Sequence, residues 1–386
     1  MVRYTCKYNE LMYTKLMRNP FLYGQSVTGD NFCNRIKELS DINRHIESGQ
    51  NLFIYSNRRI GKTSLVRQAL IRLSKNKGIV SIFIDLERIT SKAQFLEIYA
   101  QAIANAFVSL SKIEKIRDFF RALIPRIEFS PTGEVSVSVE FSKSEASIRR
   151  GLEEVMDLPQ LLAKKYKKRV VVVFDEFQEV ANLNGVEFEK YIRSFIQHHK
   201  NVCYIFMGSK TRIIIDMFNN PKRAFYRSAT VYPLGNIPNE EMERYIKERF
   251  EATEKKISNV IAAEIVQKAQ GLPHYVQMLA WHVWERCGNE VQLENINDAT
   301  QQLLLSQREL YYTWYNDSTL NQKSILFALS QGDEVFSQDA IIKHDLRAPS
   351  TVQSGIKSLV SKGFVNKEEN KYALADPFFA IWLSKK

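Results

Sequence analysis

The chain has 386 residues, 45% of them apolar and 25% charged, with a net charge of +11 and a pI near 9.3. That length exceeds one ordinary hydrophobic core, so two or three domains are expected, and the composition excludes a disordered or fibrous chain. The positive excess suits a polyanionic partner, nucleotide or nucleic acid, and equally well plain solubility. No opening stretch has the layout of a signal peptide, and no apolar run approaches the roughly 20 residues that cross a bilayer. Cys6, Cys33, Cys203 and Cys287 are far apart and lack metal-ligand spacing. Isolated thiols of this kind fit a reducing, cytoplasmic setting rather than a disulfide framework.

Leu52–Tyr55 predicts a short buried strand, and Ser64–Ser74 a helix with Leu65, Ala69, Leu70 and Leu73 on one side. Ile79–Asp85 predicts a second strand, Gln94–Leu110 a helix, and Val170–Phe174 a central strand buried on both faces. Asn201–Met207 and Ala229–Tyr232 complete the series. Strands alternating with helices predict an α/β domain with a parallel sheet. Residues 126–141 interrupt it with two alternating stretches around Ser130-Pro131-Thr132-Gly133, the signature of a β-hairpin insertion. Beyond Gly235 the pattern turns helical over Asn239–Phe250, Ile257–Gln270, His274–Cys287 and Ile296–Tyr312. Leu320–Leu329, Ser337–His344 and Ser350–Lys362 then predict three helices, followed by Phe364–Lys367 and Lys371–Leu374 around the turn at 368–370. That order is a winged helix-turn-helix.

The first strand runs into Ser56-Asn57-Arg58-Arg59-Ile60-Gly61-Lys62-Thr63-Ser64. This matches the phosphate-loop pattern with Ser in place of the first Gly. Loop N–H groups and the following helix N-terminus bind phosphate oxygens, Lys62 reaches the β- and γ-phosphates, and the Thr63 hydroxyl ligates magnesium. Ser56 is tolerated if its φ stays negative and costs of order 1 kcal/mol if positive. The strand Val170–Phe174 ends in Asp175-Glu176. Asp175 there holds magnesium and Glu176 orients and deprotonates the attacking water. ATP and Mg²⁺ are therefore the expected ligands. Neither a Cys/His metal cluster nor a nucleophile elbow offers a competing chemistry.

At these residues the chain resembles the AAA+ ATPases, and among them the archaeal-type ATPase family of the STAND group. The resemblance takes in Arg58-Arg59-Ile60-Gly61-Lys62-Thr63-Ser64, Phe174-Asp175-Glu176-Phe177-Gln178, Gly271-Leu272-Pro273, and Asp376-Pro377-Phe378-Phe379 with Trp382. Phe32-Cys33-Asn34-Arg35-Ile36-Lys37-Glu38-Leu39 looks like the family's F-x-x-R-x-x-E-L lead-in, which implies Arg35 near the adenine. The resemblance further implies Ser209 as a γ-phosphate sensor, Arg227 as a finger acting on a neighbour's nucleotide with Arg223 as its rival, Pro273 in the element where the helical lid meets the nucleotide, and His274 as a second sensor where many AAA+ proteins use Arg. Here Ser56-Asn57 stands where the family usually has Gly-Pro, and Tyr226 where it usually has Gly.

The expected architecture is a P-loop AAA+ parallel-sheet domain at 29–235 after a lead segment at 1–28, a helical lid at 236–318 and a winged helix at 319–386. The expected function is a magnesium-dependent ATPase switch. An ATP-gated protein binding double-stranded DNA through the winged helix is the alternative, with Arg347, Lys357 and Lys362 on phosphates and Ser350, Thr351, Gln353 and Ser354 toward bases. A nucleotide-binding scaffold with little turnover is the third reading. A finger in trans would require a homo-oligomer, and the hairpin offers a surface for a protein partner.

Overall fold

The computed structural model describes residues 18–75, 78–108, 127–128, 138–139, 145–183, 185–209, 212–368 and 371–386. Cys6, most of the lead segment, the hairpin turn at 130–133 and residues 369–370 of the wing turn lie outside them. The chain forms two compact units. One is Ser26–Ile237 with Leu272–His274; the other joins Met1–Gln25, Pro238–Gly271 and Tyr275–Lys386.

The first unit is built on a five-stranded parallel sheet. Its strands are β1 (Leu52–Ser56), β2 (Ile79–Asp85), β5 (Arg169–Asp175), β6 (Val202–Ser209) and β7 (Thr230–Pro233), in the order β2-β5-β6-β1-β7. Within the stretch where a hairpin is expected, β3 (Ile127–Glu128) and β4 (Ser138–Val139) pair antiparallel. β5 lies between two neighbours and carries Val170, Val171, Val172, Val173 and Phe174, all fully buried. β-branched side chains suit this position because they pack on both faces of a sheet covered by helices. Helices α1 (Ile36–Ser48), α2 (Lys62–Ser74) and α3 (Lys92–Val108) belong to this unit. So do the helices Glu145–Met156, Leu158–Tyr166, Gly185–Ile196 and Arg212–Asn219, which the sequence pattern did not resolve.

The register fixes where chemistry can sit. β1 and β6 run side by side with Ser56 opposite Ser209, and β5 ends at Asp175, opposite Asp85 of β2. The carboxyl ends of β1, β5 and β6 thus lie on one rim of the sheet, the usual ligand side of an open parallel sheet.

The second unit is helical. Helices Asn239–Glu251, Asn259–Lys268 and Pro273–Arg286 follow the predicted pattern closely. The single helix expected over 296–312 is instead two, Leu293–Ser306 and Arg308–Asn316, which meet at Gln307. The break re-aims the second helix so that buried Tyr311 donates to Asp376, at 3.4 Å from each carboxylate oxygen. Helices Leu320–Ser330, Gln338–Lys343 and Pro349–Ser361 precede the antiparallel pair β8 (Val365–Glu368) and β9 (Lys371–Leu374), the winged-helix order. Gly355 lets the third of these helices approach the first. A Cβ there would lie 2.7 Å from Asn321 Nδ2 and from Ile325 Cδ1. A last helix, Pro377–Ser384, packs against Leu320–Ser330 and Leu293–Ser306. Cys33, Cys203 and Cys287 are buried free thiols. Among the described residues no helix is long and apolar enough to cross a membrane.

Candidate functional site

The loop between β1 and α2 carries the turn the phosphate pattern requires, but not where the missing glycine would have placed it. Ser56 ends β1 with the negative φ of a strand, and its hydroxyl donates to the Asn57 carbonyl at 2.9 Å. The left-handed positions are Arg59 at φ 68° and Gly61 at φ 91°. Gly61 is the residue before the first turn of α2, and a backbone angle this positive is adopted readily only by glycine. Arg59 bears strain that a non-glycine residue carries only when its surroundings enforce it.

Lys62, Thr63 and Ser64 are the first three residues of α2, so their N–H groups are among those a helix leaves without partners. Lys62 is 8% exposed, and its ammonium lies 3.2 Å from Glu176 Oε1 and 3.7 Å from Asp175 Oδ1. The Thr63 hydroxyl donates to Asp175 Oδ2 at 2.7 Å. Ser64 is turned the other way: its hydroxyl accepts from the Val27 N–H at 3.0 Å.

Glu176 stands just past β5 with φ 49°. Ser209 donates from its hydroxyl to Glu176 Oε1 at 3.2 Å, and its N–H lies 3.4 Å from Oε2. The Gln178 amide donates to Oε2 as well. Burial alone would raise the pKa of Glu176. The Lys62 charge and the hydrogen bonds from Gln178, Lys62 and Ser209 outweigh it and hold the carboxyl below the ordinary carboxylate range. Gln178 is 8% exposed, and it fits because position 208 is glycine: a Cβ there would collide with Gln178 and Ile214. No sequence signal pairs a glutamine with a glycine 30 residues away.

The structure places Arg35 under the loop. Asn34 and Arg35 are both left-handed, at φ 43° and 61°, ahead of α1. The guanidinium is buried. One nitrogen donates to the Ile60 carbonyl at 3.0 Å and the Gly235 carbonyl at 2.9 Å, and the other pairs with Glu38 at 2.8 Å. Its donors grip the phosphate loop and the segment after β7. Pro273 and His274 belong to the same compact unit as the loop. Burial, and then the charge of Arg59, lower the pKa of His274 to about 4, so its ring is neutral at neutral pH.

Arg227 lies elsewhere. It precedes β7, whose Thr230 is opposite Leu52 at the start of β1. The four-residue rise to Ser56 puts the phosphate loop about 13 Å further along the sheet. Arg227, at φ 53°, lines a surface hollow of about 560 Å³ with Gln50, Asn219, Tyr226 and Thr230. Its rival Arg223 is held between Glu189 and Asp216.

The parallel sheet, the loop at its carboxyl rim and the Lys62–Asp175–Glu176 cluster define a P-loop ATPase of the AAA+ kind. Residues 32–279 match the family model described as "ATPase domain predominantly from Archaea", and the chain belongs to that family. Residues 309–385 match the model described as "Probable winged helix domain". No curated protein matches the chain. Among solved structures, a Walker-type ATPase of Pyrococcus abyssi is similar at TM-score 0.64 and 17% identity, over 92% of this chain and 96% of that one. The Orc1 protein of Aeropyrum pernix in complex with DNA is similar at 0.53 and 13%, over 92% and 94%. The Orc2 protein of the same organism, in ADPNP-ADP complexes, is similar at 0.54 and 13%, over 92% and 95%. At these identities the likeness is one of fold.

Proposed function

We propose that the chain is a magnesium-dependent, ATP-binding and ATP-hydrolysing switch of the STAND type. The observation that carries this reading is the bonded cluster of Lys62, Thr63, Asp175, Glu176 and Ser209 at the N-terminus of α2. Lys62 and Thr63 satisfy Asp175 and Glu176 here, and these are the groups a phosphate chain and a cation would draw on. The donor set of a hydroxyl and a carboxylate 2.7 Å apart fits a hard, oxygen-liganded ion. Thr63 and Asp175 would hold Mg²⁺, which when bound neutralises phosphate charge.

Backbone N–H groups of Ser56, Asn57, Arg58, Arg59, Ile60, Gly61, Lys62, Thr63 and Ser64 serve the phosphates, and the Lys62 ammonium the β- and γ-oxygens. Glu176 is ionised at neutral pH. It takes a proton from water as the water oxygen bonds to the γ-phosphorus and the bond to the ADP oxygen breaks. Ser209 reports the γ-phosphate to β6. Arg35 acts on the nucleotide through the loop it holds, and Pro273 and His274, which belong to the same compact unit, serve the nucleotide as lid element and second sensor. Arg227 works only on a neighbouring copy, which makes a homo-oligomer part of this reading. The proposed division is 29–235, 236–318 and 319–386 after a lead at 1–28, in a cytoplasmic protein.

One observation favours a second reading, duplex DNA at the winged helix. Helix Pro349–Ser361 exposes Ser350, Gln353, Ser354 and Lys357, short polar side chains and one cation suited to a groove. A structural neighbour, the Orc1 protein, is seen with DNA.

The test is ATP turnover with and without duplex DNA. Lys62→Ala is expected to lose binding. Glu176→Gln is expected to keep binding and lose turnover by about 10²–10⁴-fold. Wild type that binds ATP but never turns it over would leave a nucleotide-binding scaffold. DNA affinity that neither falls steeply with salt nor changes on ATP addition would remove the second reading.

A further inference from the structure

The end motif Asp376-Pro377-Phe378-Phe379 with Trp382 plays no part in the nucleotide site. Most of it is explained by packing. Asp376 caps the helix Pro377–Ser384, accepting from the N–H groups of Phe378 at 2.9 Å and Phe379 at 3.1 Å. Phe378 and Phe379 are buried. Trp382 is only half-buried. It stands edge-on to Tyr312 (centroids 5.0 Å apart, planes at 86°) and to Tyr315 (6.0 Å, 70°).

These rings share one cation. The Lys386 ammonium lies 4.5 Å from the centroid of Tyr312, 4.0 Å from Tyr315 and 4.5 Å from Trp382. The spacing explains the arrangement. Tyr312 and Tyr315 are three apart on the helix Arg308–Asn316, so they share a face. Lys386 lies just past the C-cap of the helix Pro377–Ser384, and its N–H returns to the Leu383 carbonyl at 3.1 Å, which brings the lysine back over the indole. A single lysine over a single ring is common on protein surfaces. Several rings around one ammonium is the arrangement by which proteins recognise quaternary and methylated ammonium groups. Two more cations touch the same rings: Lys323 lies 4.8 Å from Tyr315 and Arg308 5.4 Å from Tyr312.

We propose that Tyr312, Tyr315 and Trp382 form an ammonium-binding cage on the winged-helix side of the chain, that its ligand is an alkylammonium group, and that Lys386 is a resident occupant which a quaternary ammonium displaces. The ring faces supply the attraction and the tether supplies the competition. Lys323 and Arg308 oppose any incoming cation, so binding tightens as salt screens them. This is the reverse of what a nucleic acid on the same surface would show.

The experiment is an NMR titration of the full chain with choline chloride, with the Trp382 indole N–H assigned by Trp382→Phe. In wild type, ring currents are expected to move the Lys386 ε-CH₂ protons upfield, and Tyr312→Ala should return them. In Lys386→Ala, choline should shift the Trp382 indole saturably, at least about threefold more tightly than in wild type, where the tethered ammonium competes at millimolar effective concentration. The neutral isostere 3,3-dimethylbutan-1-ol should not reproduce the shift, and added NaCl should lower the choline Kd. Three outcomes overturn the proposal. An upfield Lys386 without a choline response in Lys386→Ala reduces the cage to a packing contact. Equal responses to choline and its neutral isostere make it an apolar hollow. A single-stranded oligonucleotide that moves the indole, weakens with salt and is not displaced by choline makes it a nucleic-acid surface.

Discussion

Arg35 is the residue whose loss should report most directly on how the phosphate loop is held. Its Nη2 donates to the carbonyls of Ile60 and Gly235, and its Nη1 pairs with partly exposed Glu38. A hydrogen bond from a charged donor contributes about 1.5–3 kcal/mol, so the two carbonyl contacts amount to at least about 3 kcal/mol. The pair with Glu38 is left out of the sum, because that carboxylate keeps 22% of its side chain in water and can hydrate once the arginine is gone. Arg35 also sits at φ 61°. Arg35→Ala therefore keeps a left-handed non-glycine residue, whereas Arg35→Gly removes that strain and should be about 1 kcal/mol less damaging. For a unit of this size, ~3 kcal/mol corresponds to a fall in Tm of about 6–12 °C. Calorimetry of Arg35→Ala and Arg35→Gly beside wild type measures it, with nucleotide Kd recorded in parallel. A fall under about 2 °C with nucleotide binding abolished would show that the guanidinium serves the nucleotide and not the loop. Glycine proving worse than alanine would refute the backbone part of the argument.

Ser56→Gly should lower stability by roughly 0.5–1 kcal/mol and leave turnover unimproved, because the loop turns at Arg59 and Gly61 and glycine at 56 only adds chain entropy. A severalfold gain in kcat would contradict this. Gly208→Ala should cost about 1–3 kcal/mol by overpacking and depress turnover, since the new methyl displaces Gln178 from Glu176. Turnover at the wild-type level would detach Gln178 from the chemistry. His274 has a folded pKa of about 4 against an ordinary 6.5, because of burial and then Arg59. Between those values the unfolded chain binds the proton and the folded chain does not, so its contribution to stability is lost as pH falls from about 6.5 toward 4. Tm measured across that window should slope less in His274→Gln than in wild type, and parallel curves would refute the assignment.

Much of this molecule was legible in local sequence because local physics decides it. β-branched runs predict Ile79–Asp85 and the core of β5, where a strand buried on both faces needs them. Gly61-Lys62-Thr63 announces a loop that must take a positive φ and open a helix, and the structure has both. Asp175-Glu176 is readable because a strand that stops in two carboxylates has few other uses. The helices Glu145–Met156 and Gly185–Ile196 are not resolved by apolar periodicity although Ser144 and Asn184, favoured N-cap residues, precede them, and the break at Gln307 is not legible because no Gly or Pro marks it. Tertiary structure alone decided which side chains meet. Sheet order puts Ser209 beside Ser56 and so onto Glu176, it sets Arg227 at the far end of β7 from the loop, and it brings Gly235 to Arg35 across 200 residues. Spacing along a chain fixes what one helix or strand presents. Contact between strands depends on register and sheet order, which are set only when the whole core packs.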